Sequence, residues 1–335
     1  MQYLHKAIAI NWFEHRRMTG LCRGLGIELH TMTSRRGASR YLSFVPRTLG
    51  LLLARRPRLV VVQNPSLALT LFAVFMRVIF RYRLVVDAHN EAVEPYIRRS
   101  RWSLGLARRL LRTADLTIVT NTALARIVEG AGGKPFVLYD PIPDTPPSPA
   151  PTGHDSTWSG APGTKLRVAV IATYAPDEPM DLILEAARHT QGRAEFAFTG
   201  NFRKLNPVLR DSTPPNVRYT GFLEESEYWR LLLTADAILD LTLMDNCLVC
   251  GAYEAVAAGK PVILSDNPAS RELFTDAAVF VPNSVAGLTH AIESLASDSA
   301  GIGERVGGVA NRLRANWAAS AAALLGHCRR LAGLT

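Results

Sequence analysis

Two α/β domains, each built on a doubly wound parallel sheet, are what this sequence predicts, and three observations carry the prediction. Short aliphatic and β-branched runs, such as residues 59–63, 84–87 and 166–172, alternate with helix-forming stretches along nearly the whole chain. Residues 141–162 interrupt that rhythm with prolines at 141, 143, 146, 147, 149, 151 and 162, the composition of a linker. Charge also changes sign across this linker. Residues 1–140 hold 22 Lys and Arg against 8 Asp and Glu, a net of +14, and the remaining residues hold 16 against 21, a net of −5. With 335 residues there is enough chain for two cores of ordinary size.

The elements follow in order. Residues 6–11 read as a first strand, 14–24 as a helix and 27–33 as a second strand, with Gly26 at the turn. A helix over 47–56 leads to the valine-rich strand 59–63, which Asn64 and Pro65 end. Ser66 is placed to cap the apolar helix that runs to about 80. The strand 84–87 delivers Asp87, His89, Asn90 and Glu91 together at its carboxyl end. A helix over 103–112, a strand over 116–120, a helix over 122–129 and a strand over 136–139 complete the first series. After the linker come strands at 166–172, 195–199, 217–220, 237–242, 262–264 and 279–281, and helices at 180–190, 205–210, 226–234, 248–258, 285–297 and 302–332. The domains expected are 1–140, a linker over 141–163, 164–310, and a final helix over 311–335 whose Trp317 packs back onto the first domain.

Composition excludes several classes. Four cysteines, Cys22, Cys247, Cys250 and Cys328, are too few and too scattered for a disulfide framework and point to a reducing compartment. Cys247 and Cys250 form a CxxC with neither a second pair nor a nearby His, so no zinc site is expected. The first residues are too short and polar for a signal peptide, and the apolar stretch 67–80 is broken by Arg77 and too short to span a bilayer. The basic excess comes almost entirely as arginine, in clusters mixed with Phe72, Phe75, Ile79, Phe80, Tyr96 and Trp102. That mixture suits an anionic membrane surface. No nucleic-acid-binding signature accompanies it, so nucleic acid is not expected as a partner; solvated helix faces are the plain alternative.

Residues 240–270, DLTLMDNCLVCGAYEAVAAGKPVILSDNPAS, concentrate the chemistry. A strand ends, a polar loop over 244–247 opens a helix, Gly259 stops it, and Pro261 precedes the next strand. The loop thus sits where an open α/β sheet binds ligands, and helix amides there favour phosphate. Glu254 lies one or two turns into the helix, where a carboxylate accepts hydrogen bonds from ribose hydroxyls; taken alone it also fits a solvated helix face. Residues 200–205, GNFRKL, follow a strand and offer Arg203 and Lys204 as a basic pair, which a solvated loop would also explain.

On these segments the chain resembles the GT-B-fold glycosyltransferases, two Rossmann-like domains facing a cleft across which a sugar moves from a nucleotide diphosphate. The family 4 signature is an acid, seven residues, then Glu and a helix ending AxAxGxPV. Glu254 matches the Glu, residues 255–262 read AVAAGKPV, and Asn246, with Asp245 beside it, stands where the group places the first acid, which contacts the transferred sugar. VVQNP at 61–65, LVVDAHN at 84–90 and TYAPDE at 173–178 are similar to the β-1,4-mannosyltransferase of the lipid-linked oligosaccharide pathway. The resemblance implies that Thr173, Gly200, Arg203, Lys204, Phe222, Asn246, Cys247, Leu248, Val249 and Glu254 bind the donor. Arg203 and Lys204 neutralise its diphosphate and the stretch 220–223 packs the base. His89 faces the sugar, and Asp87, Glu91 and Glu14 are further candidates for the acceptor's general base. No DxD metal motif is present, so no metal and no cofactor are expected beyond the NDP-sugar co-substrate.

The function so implied is transfer of a hexose from an NDP-sugar to a lipid-linked, polyprenyl diphosphate glycan in polysaccharide or glycoconjugate biosynthesis. The expected location is cytoplasmic, peripheral on the inner face of the cell membrane. Two other readings fit the same residues: a GT-B sugar-nucleotide epimerase, and a catalytically silent scaffold that binds nucleotide or lipid.

Overall fold

A computed structural model describes residues 4, 6–14, 16–33, 40–64, 67–88, 90–93, 101–146, 158, 163–297 and 300–334. His89, the capping role of Ser66, the basic cluster at 98–99 and most of the proline-rich stretch lie outside the described residues. The chain divides into two compact units, Met1–Asp140 with Asn316–Thr335, and Pro141–Ala315.

The first unit runs β1 (Ala7–Asn11), α1 (Arg16–Leu25), β2 (Glu28–Thr31), α2 (Arg40–Arg55), β3 (Leu59–Asn64), α3 (Leu67–Phe80), β4 (Arg83–Ala88), α4 (Asn90–Val93), α5 (Arg101–Thr113), β5 (Leu116–Val119), α6 (Thr122–Gly130) and β6 (Pro135–Val137). Its strands form one parallel sheet in the order β2-β1-β3-β4-β5-β6. β1 and β3 are buried along their whole length, because helices cover both faces and neither face meets water. One face packs Ile8, Ile10, Val60, Val62, Leu84 and Val86 against Phe44, Leu52, Leu69 and Ala73 of α2 and α3. The other packs Ala9, Val61, Val85 and Ile118 against Met18, Leu21 and Leu25 of α1 and against Ala321, Leu324 and Cys328. Trp317 lies so close to Gly24 that a Cβ there would meet its ring at 2.6 Å.

The second unit runs β7 (Leu166–Val170), α7 (Met180–His189), β8 (Ala194–Thr199), α8 (Pro207–Asp211), β9 (Val217–Gly221), α9 (Glu225–Thr234), β10 (Ala237–Asp240), α10 (Cys250–Ala257), β11 (Val262–Ser265), α11 (Pro268–Phe274), β12 (Ala278–Val281) and α12 (Val285–Ser297). The last helix, α13 (Ala300–Ala332), follows. The sheet order β12-β11-β10-β7-β8-β9 is again wholly parallel. The order reverses between β7 and β10, the topological switch point at whose strand carboxyl ends open parallel sheets bind ligands. Two doubly wound parallel sheets are thus the architecture the sequence predicts.

Three local differences have physical causes. The sequence places this helix at 47–56, yet α2 starts at Arg40 and runs through Pro46, which ordinarily breaks a helix because it lacks an N–H. α10 begins at Cys250 rather than at Leu248, since Val249 is extended at φ −78° and ψ 144°. α11 was not anticipated, although its start is conventional: the Asn267 side chain accepts from the Ser270 amide at 2.8 Å, and Pro268 follows it.

Candidate functional site

The carboxyl end of the second sheet, around the β7/β10 switch point, is assembled from chain segments that each carry a backbone constraint. Gly200, just past β8, has φ +81°, and a Cβ there would stand 2.0 Å from the Ala172 carbonyl oxygen. Only glycine lets the β8 loop approach the β7 loop that closely. The Gly200 amide donates to the Gly221 carbonyl at 3.0 Å, which ties the ends of β8 and β9 together. Residues 202–204 then form a single 3-10 turn, capped by the Asn201 side chain accepting from the Arg203 amide. That turn holds Arg203 and Lys204 exposed, and Lys204 Nζ reaches the Thr173 carbonyl at 3.3 Å. Phe222, after Gly221 at φ +74°, is 84% exposed at the end of β9.

Glu178 organises the β7 loop. Its carboxylate accepts from the Thr173 amide at 3.0 Å, the Thr173 hydroxyl at 2.5 Å and the Tyr174 amide at 2.7 Å. Tyr174 is held with φ +57°, unusual for a bulky residue. Beside it, Asp177 accepts from the Thr242 hydroxyl at 2.8 Å, and its carbonyl accepts from the Leu243 amide at 2.7 Å. The loops after β7 and β10, 70 residues apart in the chain, are therefore stitched directly across the switch point.

Beneath the start of α10 lies Asp240, buried at the end of β10 and accepting from the Gly251 amide at 2.9 Å. Burial pushes its carboxyl well above the usual carboxylate range; the Gly251 amide opposes this, and the Glu178, Glu254 and Asp177 carboxylates add to it. One amide of the helix start is thus directed at Asp240. In the turn ahead of the helix Asn246, Cys247 and Val249 are partly exposed and Leu248 is buried. Glu254, four residues into the helix, accepts a very short hydrogen bond from the Tyr228 hydroxyl of α9. Burial and the Glu254 carboxylate keep that phenol protonated, so Tyr228 is a standing donor to Glu254.

All ten predicted donor residues, Thr173, Gly200, Arg203, Lys204, Phe222, Asn246, Cys247, Leu248, Val249 and Glu254, lie in the second unit, on the carboxyl-end loops of its sheet or on α10. The reading of Glu254 as a solvated helix glutamate does not survive its bond to Tyr228. Sequence reasoning missed Tyr228, for which no motif exists, and Glu178, which closes the TYAPDE segment five residues after Thr173. Asp240 accepts from the amide at the helix start from below.

The first-unit candidates fare differently. Asp87 is fully buried at the end of β4, where Arg17 of α1 pairs with it at 3.0 Å. The same guanidinium reaches Asp140 at 2.6 Å and the Leu138 carbonyl at 3.0 Å. Burial works against the Arg17 charge, but the two carboxylates outweigh it and raise the Arg17 pKa. Asp87 is thus enclosed with Arg17 as its ion-pair partner, an arrangement in which it positions the guanidinium. Glu14 is exposed beyond β1. The side chain of Glu91, like His89, lies outside the described residues. Among the described residues no three His, Cys, Asp or Glu side chains gather as metal ligands would.

Known proteins share this architecture. The chain superposes on Anabaena Alr3699/HepE, solved in complex with UDP and glucose, with a TM-score of 0.69 at 15% identity, covering 95% of this chain and 90% of that one. It also superposes on a sucrose-phosphate synthase of Thermosynechococcus elongatus with a TM-score of 0.78 at 14% identity, covering 98% and 100%. A third likeness is the lipopolysaccharide outer core galactosyltransferase WaaB in its apo form, at 0.62 and 13%, covering 96% and 99%. At such identities these likenesses establish the fold. No curated protein matches the sequence. Residues 13–139 match the Glycosyl transferase 4-like domain, residues 156–318 match the Glycosyl transferases group 1 domain, and with both halves so assigned the chain belongs to the GT-B glycosyltransferases of the family 4-like kind.

Proposed function

We propose that this chain transfers a hexose from an NDP-sugar to a lipid-linked glycan acceptor, in polysaccharide or glycoconjugate assembly at an anionic membrane surface. The observation that carries the donor half is the carboxyl end of the second sheet around the β7/β10 switch point, which carries Arg203 and Lys204 on the β8 loop, the turn ahead of α10, and Glu254 on α10 itself. In this reading Arg203 and Lys204 neutralise the diphosphate. Their effect grows as the bond from the sugar's anomeric carbon to phosphate breaks and negative charge builds on the leaving nucleotide, so they act in the transition state. These cations and the helix start supply what a metal supplies in other transferases. Glu254, oriented by Tyr228, accepts from the ribose hydroxyls, and exposed Phe222 offers a face for the base. HepE, which has the same fold, is solved in complex with UDP and glucose, and that likeness supports a nucleotide-sugar as donor.

Transfer requires the acceptor hydroxyl to lose its proton to a base as the new glycosidic bond forms and the nucleotide diphosphate departs. Arg17 removes Asp87 from that role, which leaves His89, Glu91 and Glu14 as the candidates from the first domain. The lipid-linked acceptor rests on the QNP, DAHN and TYAPDE resemblance and on the arginine excess of residues 1–140. No helix among the described residues is long and apolar enough to cross a membrane, so attachment in this reading is to the surface.

The test is calorimetric titration of the full chain with UDP-, GDP-, ADP- and TDP-sugars, paired with a slow-hydrolysis assay. One nucleotide should bind, and Glu254→Ala should weaken it by about 100-fold or more, since a charged hydrogen-bonding pair is worth about 3 kcal/mol. The thermal midpoint should hold. Unchanged affinity in the variant would remove Glu254 from the site.

A further inference from the structure

Twelve large apolar side chains are exposed among the described residues, and eight of them lie on α2 and α3. Both helices connect strands stepping the same way across the sheet, β2 to β3 and β3 to β4, so right-handed crossovers place them on the same face. Trp12 packs beneath both, its ring 5.7 Å from those of Tyr41 and Phe44 of α2 and 6.1 Å from that of Phe72 of α3. Phe44, Leu52, Leu69, Ala73 and Met76 turn inward to the core. Turned outward are Leu42 at 81% and Leu53 at 56% on α2, and Leu71 at 48%, Phe75 at 66%, Val78 at 78% and Ile79 at 61% on α3. Positions 71, 75, 78 and 79 recur at helical spacing, so this is a second apolar stripe opposite the first. Soluble chains rarely leave so many large apolar side chains wet on one face of a sheet without a use for them.

Charge says what covers it. Neither helix contains a single Asp or Glu; α2 carries Arg40, Arg47 and Arg55, and α3 carries Arg77. Arg55 and Arg77 lean away to Glu28 and Asp115, while Arg47, with Arg56 and Arg81 just beyond the helix ends, is exposed. Two helices whose exposed side chains are apolar and whose only charged residues are arginines match a surface that is hydrocarbon within and anionic at its boundary. We infer that the paired outer faces of α2 and α3 form an insertion face for anionic lipid, lying in the plane of the bilayer interface. The inference deepens the lipid-linked acceptor reading by naming the segment that meets the membrane.

Flotation of the full chain with vesicles of phosphatidylcholine, alone or mixed with phosphatidylglycerol, tests it. The protein should float with the mixed vesicles, weakly with the neutral ones, and lose only part of its binding at high salt, because the apolar contact is not screened. The quadruple variant Leu42→Gln, Leu53→Gln, Phe75→Gln and Val78→Gln should partition at least about tenfold less while keeping its circular dichroism and melting curve. If that variant melts early, Phe75→Gln with Val78→Gln alone should still lower partition severalfold. Equal partition of variant and parent overturns the inference, as does failure of the parent to bind mixed vesicles. So does a dimer of the parent that the variant dissolves, which would assign the face to a second copy. Nucleotide titration of the same proteins separates the two proposals: vesicle binding without nucleotide binding leaves this face standing and defeats the donor reading.

Discussion

Asp240 shows how a residue's chemistry depends on what the fold puts around it. In the sequence it is a carboxylate at the end of a strand; in the structure it is buried, holds the Gly251 amide, and faces Glu178, Glu254 and Asp177. Its folded-state pKa is raised, so between the ordinary carboxylate range and that higher value the folded chain binds a proton that the unfolded chain has lost. Stability falls as pH climbs through this interval, and the deficit persists above it. Asp240→Asn keeps an acceptor for Gly251 and removes the titration. Thermal midpoints measured against pH should therefore coincide for the two proteins in acid and separate in the variant's favour toward neutrality; parallel curves would show that Asp240 is ionised in the fold. Glu254 is legible because a short motif surrounds it, whereas Asp240, 14 positions earlier, carries no motif of its own. Nothing local to either one reveals that they share a field.

At the scale of elements, the contact between α10 and β10 is set by a glycine. A Cβ on Gly251 would lie 2.5 Å from Asp240 Oδ2 and 2.6 Å from Ile171 Cδ1. Gly251→Ala should cost about 1–3 kcal/mol, by forcing the helix off the strand end. Gly307 of α13 is the control: nothing lies within 4 Å of its Cβ position, so Gly307→Ala should stabilise by about 0.5–1 kcal/mol through helix propensity alone. Chemical denaturation of both distinguishes close approach from propensity, and a neutral Gly251→Ala would mean that α10 has room to move. The sequence located this helix from its composition and from Gly259 but misplaced its start by two residues. Leu248 and Val249 are good enough helix formers that only the extended backbone of Val249 excludes them.

Across the first unit, Arg17 joins α1, the end of β4 and the segment after β6 through partners 70 and 123 positions away. Removing it strands a carboxylate that has no exposure. Arg17→Gln should lower unfolding free energy by about 3–5 kcal/mol, and adding Asp87→Asn should restore part of it, because the buried charge then disappears with its partner. Urea titration of the three proteins measures this. If Arg17→Gln leaves stability unchanged, Asp87 is free for chemistry after all. The opposite charge of the two halves also belongs to this scale: the basic excess gathers in the unit that carries the α2 and α3 face, and the acidic excess in the unit that carries the proposed donor site.

By itself the sequence determined the two wound sheets, the proline-rich break between them, the AVAAGKPV helix with Glu254 and the arginine-rich character of the first half. Each of these is written in local periodicity, composition or spacing, which need no partner to be read. Only the tertiary structure decided that Asp87 is held by Arg17, that Tyr228 donates to Glu254, that Glu178 grips the β7 loop and that α2 and α3 leave their outer stripes uncovered. Those facts depend on which strand lies next to which and on which side chains burial forces together, and residues that meet across tens of positions leave no periodic trace in the chain.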